Sequence, residues 1–316
     1  MKKTKTNSIN KDQSGIFFVL PFIIIFLIFG LWPLVNTFRL SLTDTMLMSR
    51  TFHYTGFRNF VLIFNDPSFL LSMKNTAYIW ILNFIPQLGL ALLFSVWFTS
   101  KRMSLKGVGF FRTIFYLPNI LMPAAVAALF ASLFDYYGPA NQILVRLGIF
   151  NEAFQFFRSE NFTQIIVVYI QWFMWFGQTI IVLMAGMSSI SDDFYESAMI
   201  DGASSGQMFT KITLPCIRPV MIYTLVTSLV GGMQMFDIPF MLTDGRGAPS
   251  SSIMTANIFM YLKYSSNKGH IGLASTVGII VFVLTSAIAL IIFKVLEDPD
   301  EKQLKKMQKM QKREVK

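Results

Sequence analysis

The chain has 316 residues, of which 53% are hydrophobic, 15% are aromatic and only 14% are charged. Soluble domains carry about 25% charged residues, so this composition excludes a soluble globule and indicates a chain embedded in lipid. The net charge is +10, but the basic residues flank apolar runs instead of forming a stripe, which favours a role in membrane orientation and predicts no nucleic-acid partner. A single cysteine, Cys216, excludes an internal disulfide.

Six apolar segments of about 20 residues are each long enough to cross about 30 Å of hydrocarbon as a helix. Lipid offers the backbone no hydrogen-bond partners, so a segment that does not belong to a closed barrel must cross the membrane as a helix. The predicted fold class is therefore all-α integral membrane, with six transmembrane helices at about 15–38, 75–98, 113–134, 162–185, 216–236 and 271–293. The first segment is too long for a signal-peptide core and lacks a small-residue cleavage site, so we predict a retained span.

Several predicted spans contain proline, at Pro21, Pro33, Pro86, Pro118 and Pro123. Each proline removes a helical hydrogen bond and favours a kink. Kinked helices can enclose a cavity, although proline is also tolerated in membrane helices without a functional role.

The predicted domains are a cytoplasmic N-terminus over 1–14, a transmembrane domain over 15–293 and a basic cytoplasmic tail over 294–316. With the N-terminus inside, the inner segments hold 18 Lys and Arg residues and the outer loops hold 9. An excess of positive charge on the cytoplasmic side sets the orientation of membrane proteins. Both termini, and the loop between the fourth and fifth spans, are therefore predicted to be cytoplasmic.

A polar, glycine-containing segment over 190–215 lies between the fourth and fifth apolar segments. Asp193 is predicted to cap a first helix, with a carboxylate three residues later, and Gly202 is suited to the left-handed residue that ends a helix. A second helix is predicted from near Ser204 to Ile212. Docking to a soluble partner explains why a membrane chain keeps such a segment, and an ordinary cytoplasmic loop with two frayed helices is the alternative.

The spacing within this segment resembles the EAA signature of bacterial ABC importer permeases. Glu196-Ser-Ala is followed by Gly202 and, after nine residues, by Ile212-x-Leu214-Pro215, with Ser197 where the signature has alanine. The fuller form is similar to the sugar-importer branch. The resemblance implies that this helix-turn-helix couples the chain to an ATPase through Glu196, Ala198, Asp201, Gly202, Ala203, Phe209, Ile212, Leu214 and Pro215.

Two external motifs carry the same resemblance. Gly56-Phe-Arg-Asn59-Phe60 is similar to the first external loop of maltose-type permeases, and Gly138-x-x-Asn141-x-x-Leu144 resembles the external segment of the MalF-like subunit. The matches extend from about residue 16 to residue 293, which leaves the basic tail outside them.

The resemblance implies a permease subunit of a carbohydrate-uptake ABC importer with the type I importer fold, which moves solute by alternating access. Its partners would be a second, MalG-like permease subunit, an ABC ATPase dimer and an extracytoplasmic solute-binding protein, at the bacterial plasma membrane. The sequence contains no G-x-x-x-x-G-K-[ST] motif. ATP and Mg²⁺ are therefore expected on the ATPases, and this chain is expected to bind no cofactor and to be no enzyme.

Polar and aromatic side chains inside the spans are the candidates for holding a solute. Buried polar residues in membrane helices are functional candidates by default, and sugars bind to amides, hydroxyls and aromatic faces. In maltose-type permeases the third to fifth spans hold the solute. The positions at or near the matching places are Asn119, Trp175, Gln178, Ser228, Gly232 and Met235, and Gln234 is a further polar candidate in the fifth span. Gln and Ser also join helices to each other, so a structural role stays open.

Other functions fit the sequence less well. A secondary transporter would need coupling carboxylates inside the spans, where Asp237 stands alone, and an intramembrane hydrolase would need a nucleophile with a base or metal ligands. His53 and His270 have no Cys or carboxylate partners at the spacing of metal ligands. A scaffold protein without transport activity would not need the helix-turn-helix geometry of 190–215. Among imported solutes, a sugar or oligosaccharide is favoured over glycerol-phosphate or a polyol, because no span interior holds a basic residue for a phosphate.

Overall fold

The computed structural model of the chain describes residues 11–49, 52–100, 105–243 and 245–297. Within these ranges the regular structure is helical, apart from two isolated β-bridges. The all-α class predicted from the sequence is confirmed. Most of the predicted cytoplasmic N-terminus (1–14) and of the predicted basic tail (294–316) lies outside the described residues.

The helices differ widely in length, from 3 residues to 33 residues. In chain order they are α1 (Lys11–Phe26), α2 (Trp32–Ser41), α3 (Arg58–Phe64), α4 (Pro67–Thr99), α5 (Val108–Ile120), α6 (Pro123–Leu133), α7 (Pro139–Arg146), α8 (Glu160–Ser188), α9 (Asp192–Ile200), α10 (Ser205–Met208), α11 (Leu214–Cys216), α12 (Arg218–Met233), α13 (Asp237–Leu242), α14 (Ala256–Ser265) and α15 (Ile271–Leu296). A π-helical turn over Leu27–Leu31 joins α1 to α2, and another over Phe209–Thr213 joins α10 to α11.

Five helical segments of the described chain are long and apolar enough to cross a membrane, and each overlaps a predicted span. They are Phe18–Ser41, Pro67–Thr99, Glu160–Ser188, Arg218–Leu242 and Ile271–Leu296.

The longest span, α4, shows how local sequence sets an element. The Asp66 side chain accepts a hydrogen bond from the Ser68 backbone N–H at 2.9 Å, and Pro67 occupies the first helical position, where a missing N–H costs nothing. The helix then continues across Pro86 to its end at Thr99.

The third predicted span, 113–134, is a pair of helices instead of one continuous helix. The axes of α5 and α6 differ by 95° at a break over Leu121 and Met122, and counting the pair as one span gives six. Both residues of the break are extended, with ψ of 146° and 129°. The reason is Pro123, because a proline disfavours the helical region for the residue before it.

The described residues divide between two compact units, one within 1–65 and 263–280 and the other within 66–262 and 281–316. In the first unit, the buried side chain of Asn59 is a structural link. Its Nδ2 donates to the carbonyl oxygens of Ser41 at 2.9 Å and Thr43 at 2.7 Å. The motif around Asn59, which resembles the first external loop of maltose-type permeases, therefore stabilises the chain at the end of α2 through hydrogen bonds.

In the second unit, α8 lies against both α4 and α5. The rings of Phe94, Phe115 and Phe176, one from each helix, meet at centroid distances of 5.5 to 5.9 Å. The Ser95 hydroxyl adds a bond to the Ile180 carbonyl oxygen at 3.2 Å. These contacts hold the helix pair α4 and α8, which forms two walls of the cavity described below.

The second external motif is also a structural link within this unit. Asn141 is 1% exposed, its Nδ2 donates to the Asp135 and Phe154 carbonyl oxygens, and its Oδ1 accepts from the Phe154 N–H at 2.8 Å. One side chain thus closes the loop around α7.

Candidate functional site

A cavity of about 210 Å³ lies between α4, α8 and α12 in the second unit. Its walls combine amides, hydroxyls and indole rings with a few aliphatic groups. The lining residues are Trp80, Asn83, Gln87, Gln171, Trp175, Gln178, Thr179, Val182, Tyr223, Thr224, Thr227, Ser228, Gly231, Gly232 and Met235.

Five of the seven predicted solute-site residues line this cavity, namely Trp175, Gln178, Ser228, Gly232 and Met235. The other two lie outside it. Asn119 is near the end of α5, just before the bend, and Gln234 is an exposed residue at the end of α12. The next residue, Met235, is only 4% exposed and lines the cavity.

Helix α4 supplies three lining residues that the sequence analysis did not include. Trp80, Asn83 and Gln87 are spaced three and four residues apart, so they lie on one face of the helix. The two amides in an apolar span were the signal that could have found them, since polar side chains inside membrane helices are costly unless they are used.

The indole of Trp80 is held in place by α12. Its Nε1 donates to the Ser228 hydroxyl at 3.1 Å. A Cβ added at Gly232 would overlap the indole ring, so the ring can lie there only because residue 232 is glycine. Phe84 stacks on the same indole, with centroids 5.9 Å apart and planes 15° apart.

Gln87 ties α4 to α8 beside the cavity. Its Nε2 donates to the Thr179 hydroxyl at 2.7 Å and to the Trp175 carbonyl oxygen at 3.3 Å. The Thr179 hydroxyl in turn donates to that carbonyl oxygen at 3.1 Å. Both side chains line the cavity but are largely buried, at 4% and 6% exposed.

The cavity carries no formal charge from the described residues that line it, since none is Asp, Glu, Lys, Arg or His. Among the described residues, no group of three or more His, Cys, Asp or Glu side chains could hold a metal ion. The wall therefore offers hydrogen bonds and flat apolar faces without a fixed charge, and it can bind a polar uncharged molecule.

The segment predicted at 190–215 forms a helix, a glycine turn and a second helix. The N-cap of α9 is Ser191, whose Oγ accepts from the Asp193 N–H at 3.4 Å, so the predicted cap at Asp193 is wrong by two residues. Asp192 and Asp193 instead lie in the first turn, where carboxylates interact favourably with the helix dipole.

The turn after α9 has the hydrogen bonds of a Schellman motif. The Ala203 N–H donates to the Ala198 carbonyl oxygen at 2.9 Å, and the Gly202 N–H donates to the Met199 carbonyl oxygen at 3.1 Å. Gly202 has a φ of +76°, which is in the left-handed region. The turn therefore requires the glycine that the sequence places there.

The second helix starts with a capping box. The Ser204 hydroxyl accepts from the Gln207 N–H at 3.3 Å, and the Gln207 side chain accepts from the Ser204 N–H at 2.8 Å. Tyr195 of α9 and Thr213 join the two helices through their hydroxyls at 2.9 Å. The angle between the helices is thus held by a turn and by a side-chain bond.

The nine predicted coupling residues divide between the surface and the interior of this segment. Glu196, Asp201, Gly202 and Pro215 are exposed, whereas Ala198, Ala203, Phe209, Ile212 and Leu214 are partly buried. Apolar side chains are exposed as well, with Ile200 at 87% and Phe194 at 59%. The segment therefore presents a surface that is both acidic and apolar.

Comparison with known proteins gives consistent matches along most of the chain. The family described as "Binding-protein-dependent transport system inner membrane component" matches residues 66–298. The chain is 28% identical to the lactose transport system permease protein LacF of Rhizobium radiobacter, over 93% of this chain and 98% of LacF. It is 30% identical to the probable ABC transporter permease protein YesP of Bacillus subtilis, over 92% of this chain and 93% of YesP.

One solved structure similar to this chain is that of a bacterial alginate ABC transporter in complex with an alginate pentasaccharide-bound periplasmic protein. The TM-score is 0.74 and the sequence identity is 25%, over 90% of this chain and 94% of the chain in that structure.

Proposed function

The chain belongs to the family of binding-protein-dependent transport system inner membrane components, and we propose that it forms part of the path by which an ABC importer moves a sugar or oligosaccharide. It is a multi-pass membrane permease. The observation that carries the proposal is the cavity between α4, α8 and α12, which is lined by amides, hydroxyls and aromatic rings. Such groups bind sugars through hydrogen bonds and ring faces.

A neutral solute fits this cavity better than a phosphorylated one. A phosphate or carboxylate moved out of water needs a cation or several strong donors to offset its lost hydration. No described residue that lines the cavity is basic. Glycerol-phosphate is therefore the weaker alternative, and a neutral polyol remains chemically close to the proposed sugar.

The similarity to known transporters supports the same class of solute. LacF is a lactose permease by its name, and the alginate transporter was solved with a pentasaccharide-bound periplasmic protein. Both support a saccharide, but alginate is an acidic polysaccharide, so the neutral charge of the solute rests on the cavity lining alone. The proposed complex contains this chain, a second, MalG-like permease subunit, an ABC ATPase dimer and an extracytoplasmic solute-binding protein. Its proposed location is the bacterial plasma membrane, with both termini in the cytoplasm.

The α9–α10 segment is proposed to be the contact with the ATPase. ATP and Mg²⁺ bind to the ATPase subunits in this mechanism, and their closure moves the two permeases as rigid bodies around the central cavity. The support is the fixed angle at Gly202 together with the exposed Glu196 and Ile200. A rigid segment can transmit a displacement, whereas a frayed loop would absorb it.

The test is transport by the reconstituted complex. Proteoliposomes containing this chain, its partner permease and the ATPases, with the binding protein outside and ATP inside, would be given radiolabelled lactose, maltose or glycerol 3-phosphate. We expect ATP-dependent accumulation of at least one sugar and none of glycerol 3-phosphate. Accumulation of glycerol 3-phosphate alone, or uptake that does not depend on ATP, would contradict the proposal.

A further inference from the structure

The segment that follows α2 presents two aromatic rings on its surface. Phe52 and Tyr54 lie two residues apart, and Tyr54 pairs with Thr43 in an isolated antiparallel bridge. Alternate side chains of an extended stretch point to the same side, and the two rings meet edge to face with centroids 5.9 Å apart. Phe52 is 42% exposed and Tyr54 is 67% exposed. The pair therefore forms one exposed aromatic surface.

An arginine of α2 shows where this surface lies relative to the membrane span. Arg39 is in the last turn of α2, inside the apolar segment Phe18–Ser41. Its guanidinium carbon is 5.5 Å from the centre of the Phe52 ring, which is a cation–π contact. The ring therefore lies at the level at which the span ends.

Backbone hydrogen bonds hold the segment at that level. The Thr55 N–H donates to the carbonyl oxygen of Leu42, the residue after α2, at 2.9 Å. The N–H of Gly272, at the start of α15, donates to the Thr45 carbonyl oxygen at 3.1 Å. The segment is thus tied to the ends of two helices that are long and apolar enough to cross a membrane.

We propose that Arg39, Phe52 and Tyr54 form a contact with the lipid headgroup layer and so set the depth of α2 in the bilayer. A tyrosine at the end of a span places its ring among apolar groups and its hydroxyl in water. An arginine there keeps its stem in the apolar layer while its charged head reaches the headgroups. A soluble partner fits less well, because it would need the rings to project clear of the lipid.

The test measures which medium surrounds the rings. In a Cys216→Ser background with cysteine-free partner subunits, a nitroxide spin label would be attached at Tyr54→Cys in the complex reconstituted into liposomes. Its collision rates would be measured with oxygen, which concentrates in lipid, and with a water-soluble nickel chelate. The matched control is Asn267→Cys, an exposed residue in the polar turn before α15. We expect the ratio of oxygen to chelate collisions to be severalfold higher at residue 54 than at residue 267.

Three results would overturn the inference. Equal ratios at the two positions would place the rings in water. A label at residue 54 that neither reagent reaches would show that a protein subunit covers it. Chelate access at residue 54 that is lost only when the solute-binding protein is added would make this surface a docking site for that protein. Phe52→Cys is the second label position if Tyr54→Cys prevents assembly, with the same ratio expected.

This inference depends on the membrane-spanning fold and is independent of the transported solute. A complex that accumulates no sugar would contradict the proposed function and leave the collision ratios unaffected. Conversely, a label at residue 54 in water would overturn the lipid contact in a complex that still imports sugar.

Discussion

Gly232 has a packing role that its position in the sequence does not reveal. The Trp80 indole occupies the space that a Cβ at residue 232 would need, and its Nε1 is bonded to Ser228, one turn earlier on α12. One turn of α12 therefore positions a ring from α4 in the cavity wall. Gly232, which the sequence analysis names as a solute-site candidate, therefore leaves the space in which the Trp80 ring lies.

We expect Gly232→Ala to displace the indole and break the bond between Trp80 and Ser228. Overpacking of this kind costs about 1–3 kcal/mol, so the Tm of the purified complex should fall, and sugar uptake should fall with it. Gly89→Ala on α4 is the control, because nothing lies within 4 Å of the added Cβ. The Tm of Gly89→Ala should equal or slightly exceed that of wild type. An unchanged Tm in Gly232→Ala would contradict the close contact between the Trp80 indole and residue 232.

The pairing of α4 with α8 depends on hydrogen bonds from Gln87 and Ser95 as well as on aromatic packing. We expect Thr179→Val to remove the shorter of the two hydrogen bonds that Gln87 Nε2 donates, at a cost of about 0.5–1.5 kcal/mol, while the bond to the Trp175 carbonyl oxygen stays. A lower midpoint in thermal or denaturant unfolding of the purified complex would be the readout. Thr113→Val is the matched control, since that exposed hydroxyl bonds only within its own helix, to the Gly109 carbonyl oxygen. Equal midpoints for the two variants would argue against this contribution of Thr179.

The turn between α9 and α10 is the element on which coupling is proposed to depend. Gly202 is held at a φ of +76° by two hydrogen bonds of the helix end. An L-residue with a side chain pays about 1–2 kcal/mol in this conformation, and a β-branched residue resists it further. Substitution there should change the angle between the two helices and leave the membrane spans intact.

We expect Gly202→Val to separate ATP hydrolysis from uptake. The complex should assemble and hydrolyse ATP, while the number of sugars moved per ATP falls at least severalfold. The control is Gly206→Ala in α10, where the backbone is helical and nothing lies within 4 Å of the new Cβ. Wild-type uptake per ATP in Gly202→Val would refute the role proposed for this turn.

The orientation of the complete chain can be tested because its sequence contains one cysteine, Cys216. In a Cys216→Ser background, a cysteine at Asp201 should react with a membrane-impermeant maleimide only after the cells are permeabilised. A cysteine at Tyr137, which is 80% exposed in the loop before α7, should react in intact cells. The expectation follows from the twofold excess of Lys and Arg on the predicted inner side. Labelling of residue 201 in intact cells would place the α9–α10 segment on the wrong side for an ATPase.

The properties that the sequence predicts correctly depend on one residue or on the summed hydrophobicity of neighbouring residues. Apolar runs of about 20 residues predict membrane-spanning helices wherever they occur, and five continuous spans overlap the predicted ones. Gly202 predicts the turn in which it lies, because the tolerance of a positive φ is a property of the glycine itself. The cap of α9 was misplaced by two residues because Ser191 and Asp193 are both good caps, and only the backbone path chooses between them.

The geometry of the bend and the set of residues that line the cavity are known only from the tertiary structure. Pro123 in the sequence predicts a kink in the third span, but the angle of 95° between α5 and α6 is known only from the structure. Five solute-site candidates meet at one cavity while Asn119 and Gln234 lie outside it, because helix rotation and the bend determine which side chains face inward. The wall that α4 contributes through Asn83 follows from its contacts with α8 and α12, which are about 90 to 150 residues away along the chain. Hydrophobicity and residue spacing act over a few turns of helix, whereas a cavity exists only where distant helices have come together.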